Sequence, residues 1–406
     1  MPPRQTVKTI GDWEHRRHVG LSMTEAFEAG RVGALLERLV AFRTENPPGR
    51  EFEAARFLGD LLGRRGFSIE LQEVDGDGRA NVVARLENGA GPAFAFCSHL
   101  DVVPAGSGWS TDPFRLVEKD RRYYGRGACD AKGAVAAMVE GMSLLASRRG
   151  DWSGTLIGVF VADEEVLATG ARSYVARSPK IDYVVIGEPT DNQVASAHKG
   201  CLRPVVRIHG KEAHSGEPER GINAITLSSR FVGRVADLDA DLRKRSHALV
   251  GNAALTVTRM NGGLADNVVP AHCDVVLDRR VLPSERMEDV RRDLQAFLAK
   301  AAVEIGFDAD VLEYRSEAGP SETPENSPLV QKALAVCRAN DVAADRPRGL
   351  TGGCDLVHFR EICSDGIILG PGSLLVAHKP NEFVPISELN LACRLYQEIA
   401  LAMYRR

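Results

Sequence analysis

Residues 93–101 read Ala-Phe-Ala-Phe-Cys-Ser-His-Leu-Asp, an apolar run that ends on an imidazole, His99, and a carboxylate, Asp101. A run apolar at nearly every position, rather than at alternate ones, is that of a strand covered on both faces. Two more such runs follow. TLIGVFV at 155–161 leads into ADEE, with Glu164 and Glu165, and DYVVI at 182–186 leads into Gly187-Glu188-Pro189. Charge at the end of a buried strand is costly unless something binds it.

Around these runs lie helical patterns and further strands. GALLERLVAFRT (33–44) has helical spacing, ENPPGRE (45–51) breaks it, and FEAARFLGDLLGRRG (52–66) resumes it; SIELQEV (68–74) and NVVARLE (81–87) are strand-like. Alternating strands and helices predict an α/β fold, with a mostly parallel sheet covered by helices. In such sheets ligands bind outside the carboxyl ends of the strands, where the acidic motifs fall.

The pattern changes near Lys199. RPVVRIHG (203–210), the helical INAITLSSRFVGRVADL (222–238), AALTVTRM (253–260) and CDVVLDRRVL (273–282) come first. A helix capped by Ser284, with Met287, Val290, Leu294, Phe297 and Leu298 on one face, and the strand ADVLEYR (309–315) complete the set. That βαββαβ order predicts an inserted ferredoxin-like domain. EAGPSETPENSP (317–328) reads as the return linker. The expected division is an extension at 1–30, a catalytic domain at 31–198 and 315–406, and the insert at 199–314.

Size and composition agree with this. A chain of 406 residues exceeds one ordinary core. A net charge of −4 offers no basic excess for nucleic acid. No apolar run reaches the roughly 18 residues of a membrane span, and the N-terminus lacks the apolar core of a signal peptide, so a cytoplasmic protein without a membrane partner is expected. The eight cysteines form no C-x-x-C pair and are expected as buried, reduced thiols.

The charged residues suggest a division of labour. Asp101 can turn back to hold the His99 imidazole N–H. Asp130, in GRGACDAKG (125–133), can bridge two cations through its two oxygens, or cap the small-residue helix that follows. Of Glu164 and Glu165, one can ligate a metal while the other takes a proton from water. Glu188 and His378, the latter in VAHKPNEFV (376–384), complete the set. His214, in GKEAHSGEPERGINAI (210–225), could donate a hydrogen bond to an oxyanion, and Asn267 or Arg280 could grip a substrate carbonyl or carboxylate. Singly, each has an ordinary reading as a surface pair, a cap, a solvated turn or a loop residue. Gathered at one sheet edge, they point to a pair of divalent cations and to hydrolysis.

From about Leu35 onward, SHLDVVPAG, GRGACDAKGAVAA, ADEE, GEPT, GKEAHSGEPERGINAI, GGLADNVVP and GPGSLLVAHKPNEFV stand in an order that resembles the co-catalytic metallohydrolases. That family includes acetylornithine deacetylase, succinyl-diaminopimelate desuccinylase, aminoacylase and glutamate carboxypeptidase. The resemblance implies that His99, Asp130 and Glu188 hold one metal and that Asp130, Glu165 and His378 hold the other. Zinc is usual, with manganese or cobalt in some members. It implies Asp101 as the partner of His99, Glu164 as general base, a cis Asp130–Ala131 peptide and a homodimer formed through the insert. His214 and Asn267 would serve the neighbouring site, with Arg280 and Gly353 among the substrate-binding residues. One departure stands out: Cys354 and Val357 occupy places where many relatives have Thr and Arg in a Thr-Asp-x-Arg run. The implied activity is hydrolysis of an N-acyl amino acid or related small amide. A dipeptidase or carboxypeptidase with the same centre, a catalytically silent binding protein, and a cysteine hydrolase using Cys129 or Cys354 are the rivals.

Overall fold

The computed structural model describes residues 23–404 apart from Asp77, with the backbone alone for 23–29. Most of the expected extension at 1–30 therefore lies outside the described residues. Two compact units emerge. The first takes the chain to Ser196, Thr323–Arg348, and the chain from Cys354 on; the second takes Ala197–Glu322 and Gly349–Gly353.

In chain order the first unit contributes α1 (Met23–Ala41), α2 (Phe52–Arg64), β1 (Ser68–Val74), β2 (Arg79–Asn88), β3 (Ala93–His99), α3 (Lys132–Ser147), β4 (Gly154–Val161), α4 (Thr169–Arg177) and β5 (Tyr183–Ile186). A strand at Ala195–His198, β6, runs across the boundary between the units. The second unit holds β7 (Gly200–His209), α5 (Ala224–Leu242), β8 (Ala254–Gly262), β9 (His272–Val281), α6 (Met287–Ile305) and β10 (Asp308–Ala318). The chain then returns through α7 (Pro328–Ala339), β11 (Asp365–Ile368) and α8 (Ile386–Tyr404). Helix α1 starts well before the Gly33 at which the apolar spacing becomes legible.

In the first unit the sheet order is β1-β2-β4-β3-β5-β11. The four strands β4, β3, β5 and β11 are mutually parallel, while β1 and β2 add antiparallel at one edge and β6, through Ala195, at the other. Strand β3 is buried along nearly its whole length, as its unbroken apolar run requires. Its cover includes α3, a helix rich in Ala and Gly. A Cβ at Gly141 would meet the Cys393 carbonyl oxygen at 3.2 Å and the Tyr396 Cβ at 3.3 Å, so the small residue permits the close approach of α8. Because β3, β4 and β5 run the same way, His99, Glu164, Glu165 and Glu188 all leave the sheet at one edge.

In the second unit four antiparallel strands lie in the order β8-β9-β7-β10, with α5 and α6 packed on one core. That is the ferredoxin-like arrangement. Its last strand runs on to Ala318. The Ser284 cap is corrected: α6 begins after Arg286 and has no side-chain cap. Residues 282–285 form a turn instead, in which the Glu285 carboxylate accepts the Leu282 N–H at 2.9 Å and pairs with Arg279 at 2.6 Å and Arg245 at 3.0 Å.

Candidate active site

His99 ends β3 and is almost fully buried. Its Nδ1 lies 3.0 Å from the Asp101 carbonyl oxygen, so Nδ1 carries the proton and donates there. Nε2 then presents a lone pair to Asp130 Oδ1 at 3.2 Å and Glu188 Oε1 at 3.9 Å. A lone pair facing carboxylate oxygens is repulsive unless a proton or a cation lies between them. On the other side of Asp130, Oδ2 is 3.2 Å from His378 Nε2, which also lies 3.1 Å from Glu165 Oε2. Asp130 thus stands between two imidazoles, one per oxygen. The ligand atoms of His99, Asp130 and Glu188, and those of Asp130, Glu165 and His378, fall within 4.8 Å of one another in each group. Two nitrogens and three carboxylates in this arrangement fit a pair of divalent cations sharing Asp130.

The electrostatics describe a site built for more positive charge. Burial, reinforced by Glu188, pushes the Glu164 carboxyl well above the ordinary carboxylate range. Burial does the same to Glu188, where Asp130 adds to the rise and His99 opposes it. Burial also raises Glu165, although its bond to His378 opposes the shift. His378 rises to about 10 on account of its hydrogen bonds to Asp130 and Glu165. Burial alone would raise Asp130, but its hydrogen bonds to His378 and His99 more than offset this and hold it low. Divalent cations would take over the task of those protons, and their binding would release them.

The loop that carries Asp130 is anchored from a distance. Short strand Phe383–Pro385 pairs with Arg122–Tyr124, bringing Glu382 beside the loop. Glu382 Oε1 accepts the N–H groups of Cys129 at 2.9 Å and Asp130 at 3.0 Å, while its Oε2 takes a hydrogen bond from Arg126. Both partners are about 1% exposed. The Asp130–Ala131 peptide is cis, and Ala131 rather than Asp130 occupies the N-cap of α3.

Asp101 does more than face His99. Its Oδ1 is 3.5 Å from His99 Nδ1, and the two carboxylate oxygens accept the backbone N–H of Glu164 and of Glu165, each at 3.1 Å. Asn46, Glu51, Arg79, Lys132, Asp163, Asp355 and Glu382 are buried or nearly buried polar residues around the centre that motif reading passed over. Some sit inside motifs already quoted, such as ENPPGRE, ADEE and KPNEFV; Asp163 directly follows the apolar run that closes at Ala162, as the two glutamates after it do, while the others end no such run.

His214, Asn267, Arg280 and Gly353 belong to the second unit. The short ladder of Ala213–His214 with Val268–Val269 brings His214 next to Asn267. His214 Nδ1 accepts the Gly216 N–H at 3.0 Å, which leaves Nε2 as the proton-bearing nitrogen of the neutral ring. Arg280 is held by Asp278 through two contacts, 2.8 and 3.2 Å long. Gly353 lies beside the Lys199 carbonyl oxygen. Cys129 and Cys354 are buried thiols that burial pushes well above their ordinary range, unsuited to nucleophilic attack.

Residues 95–402 match the profile of Peptidase family M20/M25/M40. The chain belongs to this family. The acetylornithine deacetylase of Edwardsiella ictaluri is 31% identical to the M20 chain over 336 residues, 81% of this chain and 84% of that protein. Among solved structures, the M20 metallo-carboxypeptidase Sso-CP2 from Sulfolobus solfataricus superposes with a TM-score of 0.77 at 19% identity, over 92% of this chain and 99% of that one. The YXEP protein of Bacillus subtilis, a dinuclear metal-binding peptidase of family M20, gives 0.70 at 17% identity, over 93% and 99%. As an M20 member the chain is a metal-dependent hydrolase acting on amide bonds. No helix among the described residues is long and apolar enough to cross a membrane.

Proposed function

We propose that this M20 hydrolase is a deacylase of N-acyl amino acids or closely related small amides, working with two zinc ions. The observation that carries the reading is Asp130 shared between His99 and His378, with Glu164 adjacent to the ligand-type Glu165. The deacylase rather than peptidase emphasis rests on the 31% identity to an acetylornithine deacetylase. His99, Asp130 and Glu188 would hold one ion, and Asp130, Glu165 and His378 the other. When bound, such ions acidify water and polarise an amide carbonyl.

The chain's own groups do the rest. Glu164, raised in basicity by its surroundings, takes a proton from the attacking water and delivers it to the departing nitrogen. His214, through Nε2–H, donates to the oxygen that becomes negative as the carbonyl is attacked. Asn267, Arg280 and Gly353 receive the remainder of the substrate. His214 and Asn267 serve the site of a second copy in a homodimer formed through the inserted unit. Eight free, buried cysteines suit a cytoplasmic protein.

A panel of N-acetyl, N-formyl, N-succinyl and N-aroyl amino acids alongside dipeptides, assayed on protein reconstituted with zinc, manganese or cobalt, tests this. The expected result is turnover of mono-anionic acyl amino acids above dipeptides. Preference for dipeptides, or for the dianionic succinyl group over acetyl at equal concentration, would overturn the substrate assignment.

A further inference from the structure

The turn that bears Glu164 and Glu165 is held by a closed set of buried polar contacts. Asp163, its first residue, has a positive φ of 66° and Ala168 one of 54°. That left-handed region is tolerated by Asp but is uncommon for a residue such as Ala168, which its surroundings must hold there. Asn81 closes the base of the loop by accepting the Ala162 N–H at 3.0 Å and donating to the Gly170 carbonyl at 2.9 Å. A Cβ at Gly170 would come within 2.3 Å of the Ala162 oxygen, so no larger residue allows that closure.

Above this base sits Asn46, 3% exposed. Its Nδ2 donates to Asp101 Oδ2 at 2.9 Å and to Asp163 Oδ1 at 2.8 Å, and its Oδ1 accepts from Arg79 Nη2 at 2.8 Å. Arg79 Nη1 meets Asp163 Oδ1 at 2.6 Å. Asp163 Oδ2 accepts the Thr169 hydroxyl at 2.6 Å. The bond from Arg79 orients the Asn46 amide, since its oxygen must face the guanidinium and its nitrogen the carboxylates. One neutral amide therefore joins two buried carboxylates that would otherwise repel each other. One of these, Asp101, grips the backbone of both glutamates.

We propose that Asn46, oriented by Arg79, is a positioning residue for the metal centre: through Asp101 and Asp163 it sets the directions of the Glu164 and Glu165 side chains. This rests on the assignment of Glu164 as base and Glu165 as ligand. Removing Asn46 frees the Asp101 carboxylate to rotate and loosens a turn whose backbone is not at rest. The metals then remain, but on a distorted ligand set, and the base is misdirected.

The test uses full-length protein loaded with cobalt, checked by elemental analysis. Three variants are compared with the wild type: Asn46→Ala, Asn46→Asp and Arg79→Lys. Asn46→Asp keeps the shape of the side chain but replaces two donors by a third carboxylate. The expected outcome is two cobalt ions bound, a changed visible absorption spectrum, and kcat lowered about 10–100-fold, with KM within about threefold. Asn46→Asp should be at least as impaired as Asn46→Ala. Arg79→Lys, whose ammonium lacks the planar fork that reaches Asn46 and Asp163 from separate nitrogens, should fall between wild type and Asn46→Ala and keeps the test open if Asn46→Ala does not fold. A variant with lowered melting temperature but wild-type spectrum and kcat at full cobalt occupancy would reduce Asn46 to a structural residue and overturn the proposal. Should the wild type turn over no acyl amide, the deacylase reading fails, while the cobalt spectra still decide the role of Asn46.

Discussion

Glu164 and Glu165 differ by one position in sequence and by their neighbours in space. Glu165 faces His378 at 3.1 Å, whereas Glu164 has no imidazole within ion-pair distance among the described contacts. The two roles are separable by substitution. Glu164→Gln should retain both metals and lose about 10²–10⁴ in kcat, the usual worth of a general base. Loss of metal from that variant, with rate restored by excess metal, would show that the two roles are exchanged. A second residue-scale expectation concerns Glu51, fully buried with neither carboxylate oxygen hydrogen-bonded among the described residues. Burial first, then Asp101, raises it from 4.5 to about 7. Since the folded value exceeds the ordinary one, protonation favours the fold. That contribution is complete below about pH 4.5 and is lost as pH rises through about 7. Glu51→Gln should therefore stabilise the metal-free protein by about 2–3 kcal/mol at pH 8 and by about 1 or less at pH 5. Equal melting shifts at the two pH values would show that Glu51 is not held protonated.

At the scale of elements, the site is three parallel strand ends plus two loops that must be pinned. The strand ends are placed by β3, β4 and β5 themselves. The Asp130 loop depends on Glu382, and in the other loop His378 itself has a positive φ of 60°. Breaking a buried ion pair by removing one partner leaves a charge without compensation. Glu382→Ala should thus cost about 3–5 kcal/mol in chemical denaturation and weaken metal binding through Asp130, with Arg126→Met less damaging to metal binding because the Glu382 oxygen that accepts the Cys129 and Asp130 N–H groups remains. A Glu382→Ala protein with wild-type denaturation midpoint would contradict the anchoring role. The Glu164–Glu165 turn and the His378 loop carry exposed apolar side chains: Val166 and Leu167 follow Glu165, and Leu374 and Leu375 precede His378, with Leu375 77% exposed. They lie close in sequence to two residues whose ligand atoms nearly touch. Leu375→Asp is accordingly expected to lower kcat/KM for aromatic or aliphatic acyl groups more than for formyl, by about tenfold. A uniform effect across the acyl series would remove any role for this rim in selectivity.

For the whole molecule, the proposal divides one reaction between two units: metals and base on the first, His214, Asn267, Arg280 and Gly353 on the second. If His214 serves the site of a second copy, two inactive variants should rescue each other. Mixed dimers of His214→Ala and Asp130→Ala hold one site with intact ligands and an intact His214. Activity should return in part on subunit exchange, up to about a quarter of the wild-type level if subunits mix at random, one site in two being intact in half of the dimers. Exchange demonstrated by mass, with no recovered activity, would place His214 in its own subunit's site or outside the chemistry.

What the chain carries in one dimension is the class of fold and the chemical vocabulary of the site. Buried strands are legible as AFAFC, TLIGVFV and YVVI because burial on both faces demands unbroken apolar runs. The residues that follow them are conspicuous because charge there is costly. The ferredoxin-like unit is legible because its strand and helix periods alternate in a distinctive order. Asn46, Arg79 and Glu382 have no such signature, and Asp163, which does follow TLIGVFV, gives no sign in sequence of which partners it will meet. Asn46 and Glu382 stand in polar stretches and Arg79 opens β2 just after one, where their residue types are ordinary, and the meaning of all four lies in contacts that span 55, 117 and 252 positions of the chain. Ser284 misled for a similar reason, since a cap is defined by where the backbone turns and Glu285 had already taken that turn for Leu282 and two arginines. Local burial and periodicity leave marks on sequence; a hydrogen-bond network that closes only on folding does not.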